Sequence, residues 1–197
     1  MKKNDKCRIC RRAGEKLFLK GEKCNTPNCV FAKKSYAPGL GGAKARVRRG
    51  SDYSIQLKEK QKARAIYGVS EKQMQNYFAK ARKNRSATGE NLIQLLEGRI
   101  DNVVYRAGWA RSRNEARQIV SHSKVSLNGR YVKTPSLQVK ISDKIKLNTA
   151  LDKETAKKDL PAWISAKSGT EIEVKSLPQK EELLLINEQL IIEFYSR

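Results

Sequence analysis

The charge of this chain limits what it can fold into more than any other feature: 42 Lys and Arg against 20 Asp and Glu in 197 residues leave a formal +22. Self-repulsion on that scale opposes a compact state unless a polyanion offsets it. The excess is uneven. Residues 1–50 hold 15 basic and 3 acidic residues, whereas residues 151–197 hold 7 basic and 9 acidic. A surplus this large, spread over several segments, exceeds what solubility requires and points to nucleic acid as the partner. Hydrophobic residues make up 39% of the chain, enough for small cores in one or two domains. No apolar run exceeds four residues, residues 183–186 being among the longest. Neither a membrane span nor a secretory leader is therefore expected, and the chain is expected in the cytoplasm.

Cys7, Cys10, Cys24 and Cys29 form a C-x2-C and a C-x4-C pair separated by thirteen residues. In a reducing compartment such pairs suit tetrahedral thiolate ligation of one structural zinc ion, which supplies folding energy to a segment too small for its own core. Lys6, Arg8, Arg11, Arg12 and Lys23 could offset the net −2 of a four-thiolate zinc site and keep the thiols deprotonated. Redox sensing, an iron–sulfur cluster or a disulfide are the competing readings. Four thiolates leave no open position for a catalytic metal.

Residues 35–50 follow with Pro38, Gly39, Gly41, Gly42 and Gly50, then Lys44, Arg46, Arg48 and Arg49. This reads as a basic arm that orders against RNA or a neighbouring protein. Its Gly39-x-Gly41 lacks the third glycine and the preceding strand of a dinucleotide fingerprint. A helix over 52–67 carries Lys58, Lys60, Lys62 and Arg64, a basic side expected to face a partner. The next buries Met74, Tyr77, Phe78 and Ala81 and closes on Lys80, Arg82, Lys83 and Arg85.

From Leu92 the spacing Leu92, Leu95, Leu96, Ile100, Val103, Val104, Ala107 predicts one continuous helix ended by Gly108. Ser112 with Glu115 forms a capping box for another, with Ala116, Ile119 and Val120 inward and Arg113 and Arg117 outward. Alternation then replaces helical spacing. Val125 and Leu127, the Asn128-Gly129 pair, and Tyr131 and Val132 predict a hairpin. Further strands are expected at Leu137, Val139 and Ile141, at Ile145 and Leu147, and around Ile172 and Val174, with Leu160, Trp163 and Ile164 anchoring the segment between. Asn187 caps a short last helix whose Leu190, Ile191, Phe194 and Tyr195 need the helices of residues 52–85 as a partner.

The expected fold is α+β. Residues 1–50 form a zinc-binding extension and basic arm. Residues 51–90 form a helical RNA-binding domain completed by residues 176–197. Residues 91–175 form an inserted RNA-binding module of two helices and a small antiparallel sheet. No enzyme is expected. His122 is the sole histidine, and carboxylates are scarce in the basic regions. Gly98-Arg99-Ile100-Asp101 resembles the Gly-Arg-Leu-Asp motif of pseudouridine synthases, which often carry a module like residues 92–147, but Asp101 lies inside the periodic helix and reads as structural.

Longer strings are more specific: Ser51-Asp52-Tyr53, residues 56–62 (QLKEKQK), residues 66–73 (IYGVSEKQ), Thr88-Gly89-Glu90-Asn91-Leu92, residues 95–106 (LLEGRIDNVVYR), Ala116-Arg117-Gln118-Ile119-Val120, Val125-x-x-Asn128-Gly129-Arg130, and the ending from Asn187-Glu188-Gln189-Leu190 to Tyr195-Ser196-Arg197. Together they resemble bacterial small-subunit ribosomal protein four nearly end to end, in the subset with a zinc-ligating amino terminus. The resemblance implies a primary binder of small-subunit ribosomal RNA that grips a multi-helix junction and nucleates subunit assembly. It also implies contact with ribosomal protein five, a place near the messenger RNA entrance with effects on decoding accuracy, and no homo-oligomer. The basic arm would lie near that entrance. The binding face of the module would be Arg111, Arg113, Arg117, His122, Lys124, Asn128 and Arg130. An RNA-modifying enzyme using the same module, or a regulator binding messenger RNA or transcription complexes, are the alternatives.

Overall fold

A computed structural model describes residues 5–39, 41–44, 50–83, 87–149, 160–178 and 186–197. In chain order the helices are α1 (Asp5–Ala13), α2 (Val30–Lys33), α3 (Asp52–Tyr67), α4 (Glu71–Ala81), α5 (Thr88–Glu97), α6 (Ile100–Arg106), α7 (Arg113–Ser121) and α8 (Glu188–Tyr195). The strands are β1 (Val125–Leu127), β2 (Arg130–Val132), β3 (Lys144–Leu147), β4 (Ile164–Ser168) and β5 (Glu171–Val174). Among the described residues no helix is long and apolar enough to cross a membrane. The chain divides into two units, Met1–Glu71 with Ile186–Arg197, and Lys72–Leu185. The charge and spacing pattern put the boundary near residue 90. The structure groups α4 with the later unit, because Tyr77 on its buried stripe accepts a 2.7 Å hydrogen bond from Arg99 of that unit.

In the first unit Ser51 caps α3 by accepting from the Ser54 N–H, and Gly68 ends it at φ 63, a left-handed conformation that glycine adopts without a Cβ clash. The last helix, α8, packs along α3. Asn187 caps α8 by accepting from the Gln189 and Leu190 N–H groups, while its own N–H donates to Glu59 at 2.8 Å. Gln56 donates to Glu193 at 2.9 Å, and the rings of Tyr53 and Phe194 lie 5.7 Å apart. The apolar face of α8 thus finds the cover on α3 that its spacing demanded.

The second unit closes on one apolar core, with Ile100, Val103, Val104, Ala116, Val120, Val125, Ile145, Trp163 and Ile172 among its members. Helical spacing from Leu92 predicted one helix, and the structure has two. Arg99 is extended, with φ −71 and ψ 136, and bridges Gln138 in the antiparallel sense. The break is held because Asn102 donates to the Glu97 carbonyl at 3.0 Å. The apolar spacing survives because both helices present the same face to the core.

The sheet is antiparallel throughout, in the order β2-β1-β3-β5-β4. Asn128 and Gly129 take φ 49 and 82, the pair of positive values that a two-residue hairpin turn requires. Two strand expectations change. Leu137, Val139 and Ile141 form no strand, only the bridge at Gln138, and Ile141 is exposed. Residues 164–168 instead supply the edge strand β4, which the sequence presented only as an anchor. Its register against β5 shifts between Ala166 and Ser168, and such a bulge blurs the alternation by which strands are read.

Candidate nucleic-acid interface

The cations of the second unit fall into two groups, those held by the fold and those turned to solvent. Arg113 belongs to the first. Its Nε donates to Asn102 Oδ1 at 2.8 Å, its guanidinium lies 4.6 Å from the Tyr105 ring, and it stands 3.9 Å from Glu97. Glu97 is wholly buried. It accepts from Asn102 at 2.6 Å and from Arg106 at 2.8 and 2.9 Å. Arg113 therefore completes a charge cluster joining α5, α6 and α7, where helical spacing had placed it outward. Arg117, one turn on, is half-buried. Asn128 is exposed, but its amide is used at both ends. It donates to Asp143 at 2.8 Å and accepts from the Lys144 N–H at 2.9 Å, which ties the hairpin to the start of β3.

Arg111, His122, Lys124 and Arg130 are exposed. Arg111 precedes the N-cap of α7, where its N–H donates to Glu115 at 2.8 Å. His122 is the C-cap residue of the same helix. Lys80, Arg82 and Lys83 are exposed at the end of α4. Exposed cations of this kind can neutralise phosphates and release counterions.

The open face of the sheet adds cations that the sequence reading left out. Register places Tyr131, Ser126 and Lys146 in one cross-strand row, and Lys144 beside Glu173. Tyr131 is 70% exposed, and both lysines are exposed. An exposed ring on a sheet face that also carries lysines suits single-stranded nucleic acid through stacking and phosphate contact, although Lys146 stands opposite Glu171 as Lys144 does Glu173. The signal was present in Lys144-Ile145-Lys146-Leu147, since burying Ile145 and Leu147 sends both lysines to the other face. Lys167 of β4 donates to Glu173 and holds that carboxyl below its ordinary value.

In the first unit the basic side expected of α3 splits, with Lys58 exposed and Lys60, Lys62 and Arg64 engaged by neighbouring side chains. Lys62 is only 9% exposed and sits between Glu15 at 2.9 Å and Glu59 at 3.3 Å. Arg64 donates to Gln61 and to Glu71, and Lys60 pairs with Glu71 at 2.8 Å. Glu59 lies on α3 itself, but periodicity along that helix could not reveal Glu15 and Glu71, which come from elsewhere in the chain. Arg11 donates to the Tyr36 carbonyl at 2.9 Å and stacks on the Tyr36 ring. Arg12 is exposed. Lys44 belongs to a short turn, Gly42–Lys44, and its side chain is not described. Arg46, Arg48, Arg49 and Arg85 lie outside the described residues.

All four cysteines are free thiols, Cys10 and Cys24 buried, Cys7 and Cys29 half-buried. Burial pushes the Cys10 thiol above its ordinary value, against a hydrogen bond with the Leu17 backbone, and the charges of Cys24, Cys7 and Cys29 push it further. Among the described residues, however, no three Cys, His, Asp or Glu side chains form a group arranged to hold an ion. Four thiols in two short-spaced pairs fit zinc in chemistry.

The motif that resembled a synthase loop is structural. Arg99 is wholly buried and Asp101 is 4% exposed. They are joined by hydrogen bonds of 3.0 and 2.7 Å, so Asp101 has no access to a substrate.

Comparison with known proteins agrees along the chain. The description "Ribosomal protein S4/S9 N-terminal domain" matches residues 1–97, and "S4 domain" matches residues 98–145. Small ribosomal subunit protein uS4 of Nitratidesulfovibrio vulgaris is 48% identical, covering 98% of this chain and 97% of its own. The protein of the same name in Dictyoglomus thermophilum is 46% identical, over 97% and 96%. Small ribosomal subunit protein uS4A of Clostridium botulinum is also 46% identical, over the same shares.

Proposed function

The chain belongs to the uS4 family of small ribosomal subunit proteins, and from that premise we propose that it is a structural, non-catalytic constituent of the small subunit, binding its ribosomal RNA in the cytoplasm. The observation that carries this reading is the similarity over 98% of the chain. The exposed cations agree with it. A rigid module holding Arg111, His122, Lys124 and Arg130 at fixed positions matches phosphates that a folded RNA also presents at fixed positions, which gives selectivity by shape. The finer reading is that the protein grips a multi-helix junction, nucleates assembly and meets ribosomal protein five and messenger RNA near the entrance. The resemblance of the sequence strings supports it.

One zinc ion held by Cys7, Cys10, Cys24 and Cys29 is part of the same proposal. The paired spacings and the four free thiols support it. Bound zinc would supply folding energy to the first thirty or so residues.

Ultraviolet crosslinking in cells, with ribosomal particles separated by sedimentation and the attached RNA sequenced, tests the whole reading. The expected result is a stoichiometric protein in the small subunit, crosslinked at one multi-helix junction of its RNA. Scattered crosslinks on free messenger or transfer RNA, with the protein missing from mature particles, would overturn it.

A further inference from the structure

The second unit contains a cleft of about 440 Å³ whose lining the cation count does not explain. Its walls include Trp163, Val139 and Leu177. Trp163 is 2% exposed, whereas Leu177 is 45% exposed at the opening. Lys80 and Lys83 line it as well, both turned to solvent near the end of α4. Three amide side chains, Asn91, Gln94 and Gln138, are also part of the lining. Gln138 is fixed by donating to the Leu95 carbonyl at 3.0 Å. Among the described residues the side chains of Asn91 and Gln94 have no hydrogen-bond partner. The wall beside them is bare backbone at Gly98, where a Cβ would stand 2.8 Å from the Gln94 carbonyl oxygen and 3.2 Å from Gln138 Oε1.

Each feature limits the occupant. An apolar wall in an open cleft selects a flat apolar surface over water. Amides offering both a donor and an acceptor select a ring edge that carries both, which is how Asn and Gln read base edges. Paired lysines at the rim select a negative charge placed a short distance from that ring. A nucleotide combines the three, and a volume of 440 Å³ falls within the usual range of small-ligand pockets.

We propose that this cleft receives one unstacked base of the bound RNA, its edge toward Asn91 and Gln94 and its flanking phosphate on Lys80 and Lys83. The inference rests on the RNA-binding function proposed above. It adds a second mode of recognition to phosphate contact, because only an unpaired nucleotide can be extruded into the cleft at small cost.

The test uses the full chain bound to a full-length transcript of small-subunit ribosomal RNA, with base-edge reagents that together report all four bases. Wild type is expected to protect an unpaired nucleotide that Leu177→Trp, which fills the cleft, leaves reactive. The variant is expected to bind about tenfold more weakly, the loss typical of one base contact, with its thermal midpoint unchanged. A variant with Lys80→Ala and Lys83→Ala, both surface changes, should expose the same nucleotide and decides the matter if Leu177→Trp does not fold. Identical protection patterns and affinities in wild type and variants would overturn the cleft assignment while leaving RNA binding intact. Absence of binding by wild type would instead remove the functional reading on which it rests.

Discussion

Replacing Arg99 by Met tests whether the Gly98-Arg99-Ile100-Asp101 stretch is a structural device. Arg99 is 0% and Asp101 4% exposed, and two hydrogen bonds join them, with a third from Arg99 to Tyr77 at 2.7 Å. Burial disfavours the charged guanidinium, yet Asp101 and Tyr77 outweigh it and raise the Arg99 pKa. Removing the cation strands a carboxylate in the interior, a loss of about 3–5 kcal/mol. With a urea slope of about 2 kcal/mol/M the unfolding midpoint should fall by about 2 M. The chain has 2 tryptophans. Both, Trp109 and Trp163, are buried in the second unit, so tryptophan fluorescence, excited where tyrosine does not absorb, reports that unit during urea titration. The double variant Arg99→Met, Asp101→Leu should recover most of the loss, since apolar residues of similar volume often replace a buried pair without cost. The remaining deficit, about 1 kcal/mol, is the unpartnered Tyr77 hydroxyl. A single variant within about 1 kcal/mol of wild type, or a double variant no better than the single, would refute this reasoning.

The join between α3 and α8 should weaken in acid. Burial acts to raise the Glu71 carboxyl, but hydrogen bonds from Lys60 and Tyr195 and the charges of Lys60 and Arg64 outweigh it and hold its pKa below the ordinary value. A depressed carboxylate stabilises the fold above its unfolded pKa of about 4.3 and loses that contribution as pH falls through the folded value. Protection factors of the α8 amides, which remove the intrinsic pH dependence of exchange, should therefore fall in that window in wild type and lose this dependence in Glu71→Gln; identical profiles would contradict it. On the RNA side, Lys124→Ala with Arg130→Ala should flatten the salt dependence of binding by about one to two in logarithmic slope, with no change in thermal midpoint. Arg113→Ala should cost about 1–3 kcal/mol of stability, since it breaks hydrogen bonds inside the Glu97 cluster, and an unaltered urea midpoint would place it back on the surface. The purified chain should carry one zinc equivalent by elemental analysis. Chelation should speed hydrogen exchange in residues 5–32 and leave tryptophan fluorescence unchanged, whereas loss of the fluorescence signal would show that the metal supports both units.

Charge, capping residues and alternation are local, and what depends on them was legible in the chain. Ser112 with Glu115, Asn128-Gly129 and Asn187 each set a helix start or a turn through their own side chain or backbone, and the structure has each where the sequence put it. The unpartnered stripe on α8 likewise announced a distant cover without saying which residues would supply it. Tertiary structure decided the rest, because the deciding partners are far apart in sequence. The helix from Leu92 breaks at Arg99 because Gln138 and Tyr77 receive it there. Lys62 and Arg113 turn inward because Glu15 and Glu97 lie within reach, and one cation looks like another until its counterion is placed. The cleft over Trp163 combines α4, α5 and the chain after β5, a meeting that no local pattern encodes. A cationic chain announces its partner in its composition, but only the folded state sorts the charges that hold the protein together from those left for the RNA.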